Sequence, residues 1–174
     1  NGIPADKVTI VRNGPVLSRF SLVPPDAGLR ARAPIIFGYV GHISRQDGLD
    51  HMLRALYHLE QDLGYADWFA VIIGRADNAN ELRQLAAELG ITEKLQFTGH
   101  LSSEQLLPLL SASDICLVPD PSNPLNDKST MIKVMEYMAL EKPVVGYDLA
   151  ETKASAGEAA LYAEPNRPRP SRHP

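Results

Sequence analysis

Cysteine is almost absent: Cys116 is the single one among 174 residues. A disulfide framework is therefore excluded, and a reducing cytoplasm is the expected compartment. Cys116 lies in the apolar run 115–118 and reads as a buried small hydrophobe rather than a nucleophile. No Cys/His set has metal-ligand spacing, so no metal and no other cofactor is expected. The five histidines form no ligand set, and His51 and His58, seven apart on a predicted helix, are expected at the surface. No apolar run approaches the roughly 20 residues of a membrane-spanning helix, and no signal peptide is expected. Positive charge is not concentrated before the tail, and the formal net charge is −4. Both argue against a dedicated nucleic-acid binder. The first glycine turn, GYVGHISRQDG, lacks the compact G-x-G-x-x-G of dinucleotide oxidoreductases. Paired carboxylates at hydrolase spacing and internal repeats are also missing.

What remains is an ordinary globular composition, 44% apolar and 22% charged, long enough for one domain with its own core. Residues 7–11 read as a short strand ending at the turn dipeptide Asn13-Gly14, and residues 15–33 as a loop. A regular alternation follows. Strands are predicted at 35–40, 68–73, 94–98, 115–118, 143–147 and 159–163. Helices are predicted at 49–63, 81–89, 102–111 and 127–140, with Ser102 capping the third and Gly90 ending the second. Near-continuous apolar strands alternating with helices imply an α/β fold, a Rossmann-like doubly wound parallel sheet covered on both faces. Residues 1–165 are expected to form that domain. The closing EPNRPRPSRHP has four prolines and three arginines and cannot be a helix, so 166–174 reads as a disordered tail. The chain opens at Asn1 inside an apparent turn, as a piece of something longer would.

In such a sheet, function gathers beyond the carboxyl ends of the strands. That selects the loops 41–48, 74–80, 99–101 and 119–129. Three of them begin with a glycine directly after a strand: Gly41, Gly74 and Gly99. Glycine there allows close approach of a ligand, or simply a tight turn. The junction at 119–146, PDPSNPLNDKSTMIKVMEYMALEKPVVG, is the most informative stretch. A polar, proline-rich loop breaks into an amphipathic helix, and a helix N-terminus there can hold a phosphate through free N–H groups and the helix dipole. Asp127 or Ser129 can cap it, and Ser129, Lys133 and Glu136 then share one helical face. One cation and one carboxylate beside open amides suit a ligand with both a phosphate and a sugar hydroxyl. Lys133 and Glu136 at i,i+3 equally fit a plain solvated ion pair, and Met131, Val134, Met135 and Met138 fit core packing.

The blocks KVTIVRNGPVLSRF, GYVGHISRQDGLDHMLRAL, FAVIIG, LQFTGHL, ASDICLVPDP and NDKSTMIKVMEYMALEKPVVGYD, in this order, resemble the C-terminal domain of group 1 glycosyltransferases. These are retaining GT-B enzymes that use nucleotide-diphosphate sugars. The resemblance covers residues 3–165. The QDG and PLNDxSTM segments look like transferases of bacterial surface-polysaccharide assembly. It implies a nucleotide-sugar donor, UDP-linked by preference, held by Gly41, His42, Arg45, Gly48, Gly74, Gly99, Asp127, Lys128, Ser129, Thr130, Lys133 and Glu136. Glu136 would take the ribose hydroxyls, the loop after Phe97 would frame the base, and the helix start would take the diphosphate. His42 and Asp47 stand where the family has two cations, so Arg45, Lys128 or Lys133 would supply the charge. The first of the family's two glutamates aligns with Lys128, and Asp127 is its expected substitute. No catalytic residue is assigned in this segment. The partner implied is a missing N-terminal Rossmann-like domain. Membrane association is expected only through that half or the acceptor, and this segment alone is expected to be inactive. A nucleotide-sugar epimerase of the same architecture and a non-enzymatic nucleotide-binding module are the alternatives.

Overall fold

The computed structural model describes residues 2–9, 11 and 13–165. A short helix, α1 (Ala27–Arg30), precedes β1 (Ile35–Val40), α2 (Leu49–Gln61), β2 (Trp68–Ile73), α3 (Ala79–Glu88) and β3 (Leu95–Gly99). The second half runs α4 (Ser103–Ala112), β4 (Ile115–Val118), α5 (Ile132–Ala139), β5 (Val144–Tyr147), α6 (Ala150–Ala156) and β6 (Ala160–Ala163). The strands form one sheet in the order β3-β2-β1-β4-β5-β6, every pair parallel. The doubly wound reading therefore holds.

The reason lies in the strands. All six residues of β2 are buried, as a strand covered on both faces requires. Residues of alternate parity in β1 and β2 feed two cores. Phe37, Tyr39, Ala70 and Ile72 pack under α2 and α3. Ile36, Phe69, Val71 and Ile73 face the side held by α1, α4, α5 and α6. The apolar stripe of α2 is Leu49, Met52, Leu53 and Leu56, all buried. In α4 the N-cap is Ser102, whose N–H donates to the Gln105 side chain at 3.1 Å. Cys116 is fully buried, and burial pushes its thiol up to about 12. It is packing, not chemistry.

Three expectations are corrected. Residues 7–9 and 11 form no strand; residues 5–7 make a single 3-10 turn, and Ile10 lies outside the described residues. Val8 and Val11 are exposed, so no layer covers their alternation. The predicted loop 15–33 contains α1, capped by the Asp26 carboxylate, which accepts from Leu29 N–H at 2.7 Å. The helix predicted at 127–140 begins only at Ile132. Its apolar stripe is Met131, Val134, Tyr137 and Leu140, whereas Met138 faces outward. The tail 166–174 lies outside the described residues.

Candidate functional site

Strand order reverses between β1 and β4, which opens a crevice at their carboxyl ends. Its first wall is the loop 41–48, and that loop is lashed to its neighbours. Ile43 N–H donates to the Arg75 carbonyl, and Asp77 N–H to the Ile43 carbonyl, each at 2.9 Å. Gly74 N–H donates to the Gly99 carbonyl at 3.0 Å. The ladder thus continues past the strand ends. Gly74 has φ 143°, and a Cβ on it would lie 1.7 Å from the Gly41 carbonyl oxygen. Gly48 has φ 68°, and a Cβ there would lie 2.1 Å from the Pro119 carbonyl oxygen. Both glycines are required by the contact of one loop with another.

The second wall is 119–131. Asn123 Oδ1 accepts from the N–H groups of Leu125 and Asn126, closing a turn that leads into a 3-10 turn at Asn126–Lys128. The buried Asn126 side chain then donates to the carbonyls of Gln46 and Pro121, both at 2.9 Å. One amide ties the two walls together. Ser129 is extended, and its hydroxyl donates to the Leu125 carbonyl at 2.7 Å. Asp127 accepts from the Ser122 hydroxyl at 3.1 Å. Thr130 donates to Glu151 of α6 at 3.1 Å. Neither Asp127 nor Ser129 caps α5: its N-cap is Met131, which makes no side-chain capping hydrogen bond. Ser129 therefore does not share a helical face with Lys133 and Glu136. In the first turn of α5 the Val134 N–H donates to the Met131 carbonyl at 3.0 Å, and the helix starts at the crevice end of the sheet.

The charges are arranged differently from the simple picture of free cations. Lys133 Nζ lies 3.0 Å from both oxygens of Asp120 and 3.2 Å from the Tyr39 hydroxyl, over whose ring it also sits. The Lys133 side chain is 11% exposed and that of Asp120 2%. Burial raises the Asp120 carboxyl despite the opposing pull of Lys133. Burial also pushes the Tyr39 hydroxyl far above its ordinary range, so it stays protonated. Arg45 forms a forked pair with Glu81, at 2.6 and 3.2 Å. That hydrogen bond holds the Glu81 carboxyl below its usual range. His42 Nε2 lies 2.7 Å from Asp77 Oδ2, and this bond lowers the Asp77 carboxyl. Asp47 turns into its own loop, accepting from the Ser44 N–H at 2.8 Å and hydroxyl at 2.6 Å. It does not pair with Arg45.

Two site residues are uncommitted among the described residues. Lys128 is exposed on its 3-10 turn; its N–H donates to the Leu125 carbonyl at 3.1 Å, and its side chain makes no hydrogen bond or ion pair. Glu136 is half-buried one turn beyond Lys133, and its carboxylate has no hydrogen-bond partner; burial raises its carboxyl, against the pull of Lys133. Sequence reading missed Tyr39, Asp120, Asn126 and Tyr137. Tyr137 is fully buried in α5 and its hydroxyl accepts from Val40 N–H at 2.8 Å. A signal existed for Asp120, an acid placed directly behind an apolar strand.

The fold has known counterparts. The family model for glycosyl transferases group 1 matches residues 34–170. The chain belongs to that family. The group 1 domain is 25% identical over 142 residues to a 2-deoxystreptamine glucosyltransferase of Streptomyces kanamyceticus, covering 80% of this chain and 35% of that protein. It is 27% identical over 169 residues to a D-inositol 3-phosphate glycosyltransferase of Nocardia farcinica, covering 91% and 36%. The chain thus spans about a third of the curated relatives' length. Anabaena HepE, solved with UDP and glucose, shares the fold at a TM-score of 0.73 and 19% identity, over 95% of this chain and 45% of that one. The C-terminal domain of the group 1 protein LpcC from Francisella tularensis matches at a TM-score of 0.62 and 22% identity, over 88% and 81%. The Rossmann-like sheet has the fold of the C-terminal domain of such enzymes.

Proposed function

We propose that residues 1–165 are the donor-binding domain of a retaining glycosyltransferase that uses a UDP-sugar. The intact enzyme transfers its sugar to a polysaccharide or lipid-linked acceptor. The acceptor site and any catalytic group lie on an N-terminal domain outside these residues. The observation that carries the reading is Glu136: a half-buried carboxylate without a partner, beside a crevice at the reversal of strand order. An unpaired, partly desolvated acceptor is costly unless a ligand completes it. Ribose hydroxyls are suitable donors. The N-terminal end of α5, together with Lys128, takes the diphosphate. Positive groups fixed there stabilise charge on the leaving diphosphate as the glycosidic bond breaks. The HepE structures with UDP, and a similar protein named as a putative teichuronic acid biosynthesis glycosyltransferase in Bacillus subtilis, support the donor and the polymer-type acceptor.

Calorimetric titration with UDP, GDP, ADP and NAD tests the reading, with UDP expected to bind best. Glu136→Gln is expected to weaken UDP by about 1.5–3 kcal/mol, the worth of a charge-assisted hydrogen bond. It should no longer distinguish UDP from 2′,3′-dideoxy-UDP. A variant that discriminates as well as the parent sinks the assignment. Because burial raises the Glu136 carboxyl, acid is expected to weaken UDP at a pH above the ordinary 4.5 of a glutamate. A second expectation concerns Arg45. Its pairing with Glu81 is exposed and so easily exchanged. Glu81→Gln frees Arg45 for the diphosphate and should tighten UDP by less than about fivefold, an effect that fades with added salt. Weaker binding would show that Arg45 serves the site only while held by Glu81.

A further inference from the structure

Lys133 stands at the crevice with every donor already spent. An ammonium carries three N–H groups. Those of Lys133 go to Oδ1 and Oδ2 of Asp120, each at 3.0 Å, and to the Tyr39 hydroxyl at 3.2 Å. The Tyr39 hydroxyl in turn donates to the His42 carbonyl at 3.3 Å. Through Tyr39 the ammonium is therefore linked to the loop 41–48, the first wall of the crevice. The Lys133 side chain keeps some contact with solvent, whereas Asp120 has almost none.

The carboxylate depends on this one cation. The titratable and charged groups that face Asp120 are Lys133 and Tyr137 from α5, Tyr39 from β1 and Asp47 from the loop 41–48. Tyr39 has turned its proton to His42, and Tyr137 has turned its own to the Leu117 carbonyl at 3.5 Å. Asp47 is itself an anion and acts against Asp120. Among the described residues only Lys133 donates a side-chain hydrogen bond to Asp120. A phosphate in the crevice can thus take the ammonium only by removing it from the carboxylate. A buried carboxylate beside a second anion, with its cation gone, is too costly to keep charged, and a proton neutralises it instead. Burial already raises the Asp120 carboxyl against the pull of Lys133, so the site leans that way before any ligand arrives. Glu136, the other carboxylate that attracts Lys133, gives the ammonium a second anionic neighbour once it leaves.

We propose that the diphosphate of the donor draws the Lys133 ammonium off Asp120, and that Asp120 takes up a proton from solution in the same step. Lys133 keeps its charge throughout, and the solvent proton replaces it at the carboxylate. Asp120 is then a positioning residue, acting on the nucleotide only through Lys133. The proposal rests on the donor reading given above and adds a coupling between donor binding and pH.

The test titrates the full-length protein with UDP by calorimetry, near neutral pH, in buffers of different ionisation enthalpy, which counts the protons exchanged. About one proton should be taken up per UDP bound, and affinity should fall about tenfold per pH unit on the alkaline side. That fall has the opposite sign to the acid weakening expected from Glu136. UDP itself sheds protons when a cationic site binds its phosphate, so it cannot supply the uptake. Lys133→Arg keeps the ion pair, and its five-donor guanidinium can hold Asp120 and a phosphate together. It should bind UDP with uptake close to zero. Asp120→Asn should likewise bind without uptake; if that variant does not fold, Lys133→Arg decides. Uptake by another group, such as His42, survives both substitutions and overturns the proposal. UDP bound by the wild-type protein without net uptake overturns it alone and leaves the donor reading standing. A full-length protein that binds no UDP defeats the donor reading and this coupling together.

Discussion

Lys133→Met is expected to cost about 3–5 kcal/mol of folding stability, because it strands the Asp120 carboxylate in a buried site. Urea unfolding reads the loss. The double variant Asp120→Asn with Lys133→Met should recover most of it, since a neutral pair carries no uncompensated charge. The pH dependence has a definite sign. The folded Asp120 carboxyl is already raised above its ordinary 3.8. A raised carboxyl contributes stability that is full below the unfolded value and is lost as pH climbs through the folded value. Without Lys133 the folded value rises further, so the deficit of Lys133→Met should grow from acid toward neutral pH. A deficit that is constant with pH would mean that packing, not the stranded charge, accounts for it. The same geometry changes the role of Lys133 at the site. Held by both oxygens of Asp120 and by Tyr39, it anchors the ends of β1 and β4 and is a positioning residue for the crevice before it is a cation for phosphate.

Gly74→Ala is expected to be nearly as damaging. Its φ of 143° is a conformation that L side chains rarely adopt, and the added methyl would sit 1.7 Å from the Gly41 carbonyl oxygen. No rotamer relieves a clash between a Cβ and backbone. Strain and overpacking together should cost about 3 kcal/mol or more. The damage also has a location: Gly41 must retreat, and with it the loop 41–48. UDP affinity is therefore expected to fall even in the folded fraction, measured well below the thermal midpoint. Gly64→Ala is the control, with a positive φ but nothing within 4 Å of a Cβ. If Gly74→Ala binds UDP as well as Gly64→Ala does, the contact between the two loops does not shape the crevice.

The strands were legible because they are unbroken apolar runs. Residues 68–73 emerge from the sequence with the bounds the structure gives them, and burial of all six explains why. The start of α5 was not legible. Its loop is shaped by Asn123 folding back on Leu125 and Asn126, a side-chain turn that looks helix-compatible in sequence. Residues 127–131 carry helix-like spacing yet are spent on that turn and an extended link. Lys133 showed its neighbour Glu136 at i,i+3 but not Asp120, whose contact depends on a loop path rather than on spacing. Likewise Arg45 and Glu81 are 36 residues apart and meet only because α3 starts beside the first loop. Residues 7–11 show the converse. Their alternation is that of a strand, but alternation describes a preference, and among the described residues no layer covers Val8 or Val11.

Asn126, with one amide group bonded to Gln46 and Pro121, has a kinetic meaning. Because it bridges the loops after β1 and β4, neither can swing aside without breaking a buried hydrogen bond. A nucleotide bound as proposed would meet a socket whose shape is already set. It surrenders its own freedom, but the walls have little left to surrender, so the entropy lost on association falls mainly on the ligand. On the proposed reading, closure around a donor sugar would come from movement of this whole body against another domain, with the crevice travelling as a single rigid piece.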